Sequence, residues 1–69
     1  MRRMLVRLNG ELREVQDGTT VAALLRSLGV KPARVAVVVN EAVVVRARHE
    51  EHAIRPGDAV EIVAIVGGA

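Results

Sequence analysis

The sequence contains no cysteine, no aromatic residue and only two prolines. Without cysteine there is no disulfide, no thiolate metal site, and no sulfur or acyl chemistry on an internal thiol. Without Phe, Tyr or Trp there is no platform on which a nucleobase stacks, so single-strand nucleic-acid binding of the usual kind lacks support. The core has to be assembled from Val, Leu, Ile, Ala and Met. Long apolar runs are missing as well. The N-terminus, MRRMLVRLNGE, carries basic residues, but its apolar run is far too short for a signal peptide or a membrane span. A soluble, cytoplasmic protein with neither a nucleic-acid nor a membrane partner is the expectation.

The isoelectric point near 10.5 does not change that expectation. Net charge is only +2, and with no Tyr or Cys nothing titrates between His and the strong bases. The basic residues are spread along the chain; after Arg2–Arg3, Arg46 and Arg48 form the only close pair. That is not the clustered basic face of a nucleic-acid binder.

What is present is enough for one small domain. About 60% of the unfolded surface is buried when a chain of this size folds, so the core has to be efficient. With 51% apolar residues the material is ample. Residues 4–8 (MLVRL) and 11–15 (ELREV) flank Asn9-Gly10, the strongest short hairpin signal, because a type I′ turn needs positive φ at both central residues. That register places Met4, Val6, Leu8 and Val15 on one face and leaves Leu5 and Leu12 on the other. Asp17-Gly18 then leads into a helix capped by Thr19 or Thr20. Its apolar stripe is Val21, Leu24, Leu25 and Leu28, at the i, i+3, i+4, i+7 spacing. Gly29 stands where a left-handed C-cap belongs, and Pro32 blocks continuation.

Residues 35–39 (VAVVV) are continuously apolar and β-branched, as in a strand covered on both sides or at a sheet centre. Asn40-Glu41-Ala42 connects to a short second run at Val43–Val45. The stretch RARHEEHAI carries no strand period and is a loop or a single helical turn. Arg55-Pro56-Gly57-Asp58 is a turn, and a last strand spans Ala59–Val66. Strand, turn, strand, helix and further strands in so short a chain imply an α+β domain: one mixed sheet of four or five strands over one main helix. The order resembles the ubiquitin-like β-grasp. That resemblance, rather than periodicity, places the last strand parallel to the first at the sheet centre.

Three stretches could carry chemistry. In His49-Glu50-Glu51-His52 two His at i, i+3 could hold a metal on a helical turn. The spacing is not HExxH, no third ligand is compelling, and a solvated charged loop without metal is the simpler account. No nucleophile–base pair or Gly-rich phosphate loop occurs, so the chain is not expected to be an enzyme. In the last strand Val60, Ile62, Ala64 and Val66 share one face, while Val63 and Ile65 share the other with Glu61. Val38 lies on the same opposite face of its own strand. One helix covers one side of a sheet. Val63, Ile65 and Val38 therefore make either a partner interface or the flanked second face of a central strand, and Val66, at the strand's end, is counted with that interface.

The third stretch is the tail, Gly67-Gly68-Ala69. A frayed end of no consequence is one account. With Gly near 7% of residues, two in a row arise by chance at a given place only about 0.5% of the time. The pair directly after a strand therefore looks selected. Two residues without Cβ form a thin thread that fits a narrow channel, and what a thread delivers is its carboxylate. ATP can convert a carboxylate into an acyl-adenylate open to attack by sulfur or an amine.

Together, LNGE (8–11), TVAALLRSLG (20–29), VAVVVNEAVVVR (35–46), IRPGDAVEIV (54–63) and Gly67-Gly68 resemble the ThiS/MoaD family of ubiquitin-like sulfur carriers. The likeness is greatest to the ThiS type of thiamine thiazole synthesis. The molybdopterin synthase small subunit usually has prolines before its glycines; this chain has Ala64-Ile65-Val66. The resemblance implies a single β-grasp carrier domain over residues 1–69, with a flexible tail at 66–69. It implies that an E1-like, ThiF-type adenylyltransferase activates Gly68 with ATP, which the carrier itself does not keep bound. A persulfide donor would then convert Gly68 to a thiocarboxylate, and a ThiG-type thiazole synthase would take the sulfur. The family pattern ends at the second glycine, whereas this chain continues to Ala69. A carrier for molybdopterin or tRNA thiolation, or a non-covalent β-grasp interaction domain, are the alternatives.

Overall fold

Asn9 and Gly10 take φ of 50° and 84°, the pair of left-handed conformations that a two-residue hairpin requires. They join β1 (Arg3–Leu8) to β2 (Glu11–Gln16) as an antiparallel pair in which Met4 faces Val15 and Leu8 faces Glu11. The computed structural model describes residues 2–65. Met4, Val6 and Leu8 are buried while Leu5 and Leu12 are exposed on the other face, the register the alternation predicts.

Helix α1 (Val21–Leu28) begins at Thr20, whose hydroxyl accepts the Ala23 N–H at 3.1 Å. Two more of its N-terminal N–H groups, on Val21 and Ala22, donate to the carbonyls of His52 and His49, each at 2.9 Å. The first turn is thus satisfied by a distant loop as well as by its cap. At the other end Gly29 sits at φ 70°, and the N–H groups of Gly29 and Val30 return to Arg26 and Leu25 at 3.1 and 3.0 Å. Pro32 then opens a short 3₁₀ turn, Pro32–Arg34. Val21, Leu24 and Leu25 are buried, and Leu28 packs against the core from its edge. The predicted stripe is the face that meets the sheet.

β3 (Val35–Val39) turns through Asn40 and Glu41, both at positive φ, into β4 (Ala42–Val44). β5 (Ala59–Ala64) follows a second 3₁₀ turn at Arg46–Arg48 and the Arg55–Asp58 turn. The strands form one five-stranded sheet in the order β2-β1-β5-β3-β4. β5 runs parallel to β1 and antiparallel to β3. This is the expected mixed sheet on one helix, with the last strand at its centre. The core is aliphatic throughout: Met4, Val6, Leu8, Val21, Leu24, Leu25, Val37, Val39, Val44, Ile54 and Val60. No helix among the described residues is long and apolar enough to cross a membrane.

The charged stretch 46–52 departs from expectation. Glu50 and Glu51 are exposed, but His49 is buried, with only 4% of its surface accessible. The 3₁₀ turn folds His49 back onto β4, where its Nε2 lies 3.0 Å from the Val44 carbonyl. A carbonyl only accepts, so Nε2 carries the proton in this contact. His49 Nδ1 is buried with no partner. The residue thus serves as a small amphipathic core plug, its apolar edge inside and one nitrogen closing off a strand-edge carbonyl. A smaller difference concerns a strand end: β4 starts one residue earlier than the apolar run suggests. β5 is a regular strand to Ala64, the Ile65 N–H continuing its register with β3 by a 2.9 Å bond to the Arg34 carbonyl, and Val66, the predicted last residue, lies outside the described residues.

Candidate functional site

β5 is the strand that leads to the tail, and it is held from both sides by asparagine side chains. On the β1 side the regular pairing stops at Leu8 opposite Val60. The Asn9 backbone N–H then reaches the Val60 carbonyl at 2.9 Å. The Asn9 side chain takes over where the backbone turns away: Oδ1 accepts the Ile62 N–H at 2.8 Å, and Nδ2 donates to the Ile62 carbonyl at 3.4 Å. A side-chain amide thereby imitates one more strand residue. On the β3 side the Asn40 N–H donates to the Ala59 carbonyl at 2.8 Å, and Asn40 Oδ1 accepts the Ala59 N–H at 2.9 Å.

Asp58 links that clamp to the preceding turn. Its Oδ1 accepts from Asn40 Nδ2 at 2.9 Å, and its Oδ2 accepts the Arg55 N–H at 2.8 Å. Asn9 and Asn40 share a positive φ of 50°, which asparagine tolerates better than most residues. Both positions close a strand and both side chains grip β5. Sequence reasoning took Asn9 for a turn residue and Asn40 for a connector; the available signal was that each ends an apolar strand.

The sheet face away from α1 carries the expected aliphatic surplus. Val63 and Ile65 are 51% and 55% exposed. Val38 is half-buried on the same face. Register brings Val63 beside Ala36, and Val38 between Glu61 and Val43. Val43, at 65% exposure, extends the patch to the sheet edge, a contribution the sequence reading did not assign. Pro32, Ala36, Val43, Val45 and Ile65 line a shallow groove of about 300 Å³ at that edge. Leu5 and Leu12 form a second exposed aliphatic pair at the opposite edge, with Arg3 and Arg7 beside them. Of the predicted interface, Val63, Ile65 and Val38 therefore lie together on the helix-free side. Val66, Gly67, Gly68 and Ala69 lie outside the described residues. Among the described residues no three His, Cys, Asp or Glu side chains come together to hold a metal ion.

The chain has known counterparts along nearly its whole length. The ThiS family model matches residues 6–68. The thiazole synthase of Magnetococcus marinus is 40% identical over 65 residues, which are 94% of this chain and 20% of that protein. The sulfur carrier protein ThiS of Thermus thermophilus is 38% identical over 64 residues, 93% of this chain and 98% of that one. The chain thus spans about one fifth of the synthase and nearly all of the carrier. Among solved structures, the thiamine biosynthesis protein ThiS of Geobacter metallireducens superposes with a TM-score of 0.85 at 30% identity, covering 96% of this chain and 100% of that chain.

Proposed function

The chain belongs to the ThiS family, and on that premise we propose that it is a sulfur carrier for the thiazole ring of thiamine. The observation that carries this reading is the family match, which runs through residue 68, together with a clamped central strand that leads to that residue. Gly68 would supply the reacting carboxylate. An E1-like adenylyltransferase joins it to the α-phosphate of ATP and releases pyrophosphate. The terminal sulfur of a persulfide donor then attacks the acyl carbon and displaces AMP to give an acyl disulfide. A second thiol cleaves its S–S bond, becoming oxidised to a disulfide with the donor sulfur and releasing the thiocarboxylate on Gly68. The carrier contributes no acid, base or metal to these steps; it supplies the carboxylate and a surface by which it is recognised.

That surface is the helix-free face around Val63, Ile65 and Val38. Apolar side chains left uncovered on so small a domain favour a partner that buries them. A thiazole synthase is the natural acceptor of the sulfur. Support comes from the Magnetococcus protein of that name, one fifth of which matches this chain. The test is intact-mass measurement of the chain ending at Gly68 (residues 1–68) after incubation with ATP, the cognate adenylating enzyme and a persulfide donor. The expected result is a mass gain equal to one sulfur replacing one oxygen at the C-terminus. An unchanged mass alongside an activated control carrier would overturn the reading.

A further inference from the structure

We propose that the free edge of β5 at Ala64 is a docking edge, to which the protein that receives the tail adds an extended segment of its own as a further strand. The inference rests on the carrier reading and deepens it by naming how the partner grips the strand. The hydrogen bonds of β5 alternate. Val60 accepts from Asn9, Asp58 accepts from Arg7, and the Ile62 N–H is held by the Asn9 side chain; even-numbered residues therefore point towards β1. Ala59 accepts from Asn40, and the Ile65 N–H donates to Arg34; odd-numbered residues point towards β3. Strand geometry carries the alternation forward. Ala64 therefore turns its N–H and C=O to the β1 side.

β1 is no longer there. It has left the sheet at Asn9-Gly10, and its pairing with β5 ends at Leu8 opposite Val60. Ala64 is exposed, whereas the other side of β5 remains paired through Ala64 opposite Val35. A strand edge with an unused N–H and C=O is a template for another chain, and main-chain pairing of this kind is a common means of peptide recognition. The occupant follows from distance. Gly68 is four residues beyond Ala64, a reach of about 13 Å in extended chain. A protein that encloses Gly68 for chemistry has its own backbone within that reach of the free edge. The exposed Val63 and Ile65 beside it add apolar contact to the same partner.

Two measurements test this. In the free protein, amide hydrogen exchange followed by NMR should show one fast amide, Ala64, between slow ones at Ile62, Val63 and Ile65. Adding the cognate adenylating enzyme without ATP should then slow Ala64. The second uses a chemically synthesised chain carrying an N-methyl group on the Ala64 nitrogen. Its melting temperature should match the parent, while its affinity for the enzyme, measured by calorimetry, falls roughly two- to tenfold, the worth of about one interfacial hydrogen bond. A slow Ala64 amide in the free protein, or undiminished affinity of the N-methyl chain, would overturn the docking edge. If the parent binds the enzyme with Ala64 protected but even the chain ending at Gly68 supports no pyrophosphate exchange, the carrier reading fails and the edge stands. Binding without any protection of Ala64 sinks the edge and leaves the carrier reading intact.

Discussion

Asn9 and Asn40 each combine two roles that a single substitution can separate. Each occupies a left-handed turn position, and each side chain also bonds the backbone of β5. Asn9→Gly keeps the turn conformation accessible and deletes only the side-chain bonds. It should lower stability by about 0.5–1.5 kcal/mol per bond lost, measured by urea unfolding, and the Ile62 amide should exchange faster. Asn9→Ala should cost more, since it adds the penalty of holding a Cβ residue at positive φ, about 1–2 kcal/mol. If the glycine variant is as stable as the parent, the clamp contributes nothing. His49 invites a similar pair. His49→Ala removes the donor to the buried Val44 carbonyl and leaves a hole, a loss of roughly 1–3 kcal/mol. His49→Gln restores a donor of similar reach and should recover part of it. Equal losses in both would show that packing alone matters there.

At the scale of elements, contrasting substitutions on the two sides of the sheet test the division between core and recognition face. Leu25 is fully buried at the helix–sheet contact, and Leu25→Ala should cost about 2–5 kcal/mol. A domain of this length has about 3–10 kcal/mol in all, so the urea midpoint should collapse. Ile65→Glu, by contrast, should leave the far-UV circular dichroism and the urea midpoint near the parent's and abolish adenylation. If Ile65→Glu unfolds the domain, Ile65 belongs to the core. The helix was legible in sequence, because its stripe, a capping threonine at 19 or 20 and Gly29 agree, and the structure settles the cap on Thr20. The hairpin was legible for the same reason: Asn9-Gly10 and the alternation of Met4, Val6 and Leu8 agree. Strand order was not, since periodicity says which face a residue takes and nothing about which strand lies beside it; resemblance supplied that. His49 was hidden because its neighbours Arg46, Arg48, Glu50 and Glu51 are all exposed. A single buried ring in a charged stretch has no period to reveal it. The exposed aliphatic face was legible as a surplus in β3 and β5, while its extension to Val43 depended on a register that only the folded sheet provides.

At the scale of the whole molecule, the proposed carrier function assigns recognition and chemistry to different parts of the chain. The folded body would identify the carrier to its partners, and the carboxylate of Gly68 would be what the chemistry consumes. Activation by ATP requires a free carboxylate on the residue that carries the sulfur. The family match ends at residue 68, and the next residue in the sequence is Ala69. A methyl group is the smallest side chain that can intrude on a channel fitted to glycine, yet it also restricts φ, so it opposes both the fit and the path of the backbone. If the sulfur is carried on Gly68, whatever follows it, Ala69 included, has to be removed before activation. The comparison is between chains 1–68 and 1–69 in ATP–pyrophosphate exchange with the same adenylating enzyme. The two share one folded body, so their affinities without ATP should agree within about twofold, and only the exchange rate should separate them. The shorter chain should exchange rapidly and the longer one slowly. Equal rates, with the sulfur located on Ala69 by mass spectrometry, would overturn the assignment to Gly68 while preserving the carrier. Silence from both chains, with binding intact, would leave the sheet face as an interaction surface without the covalent chemistry.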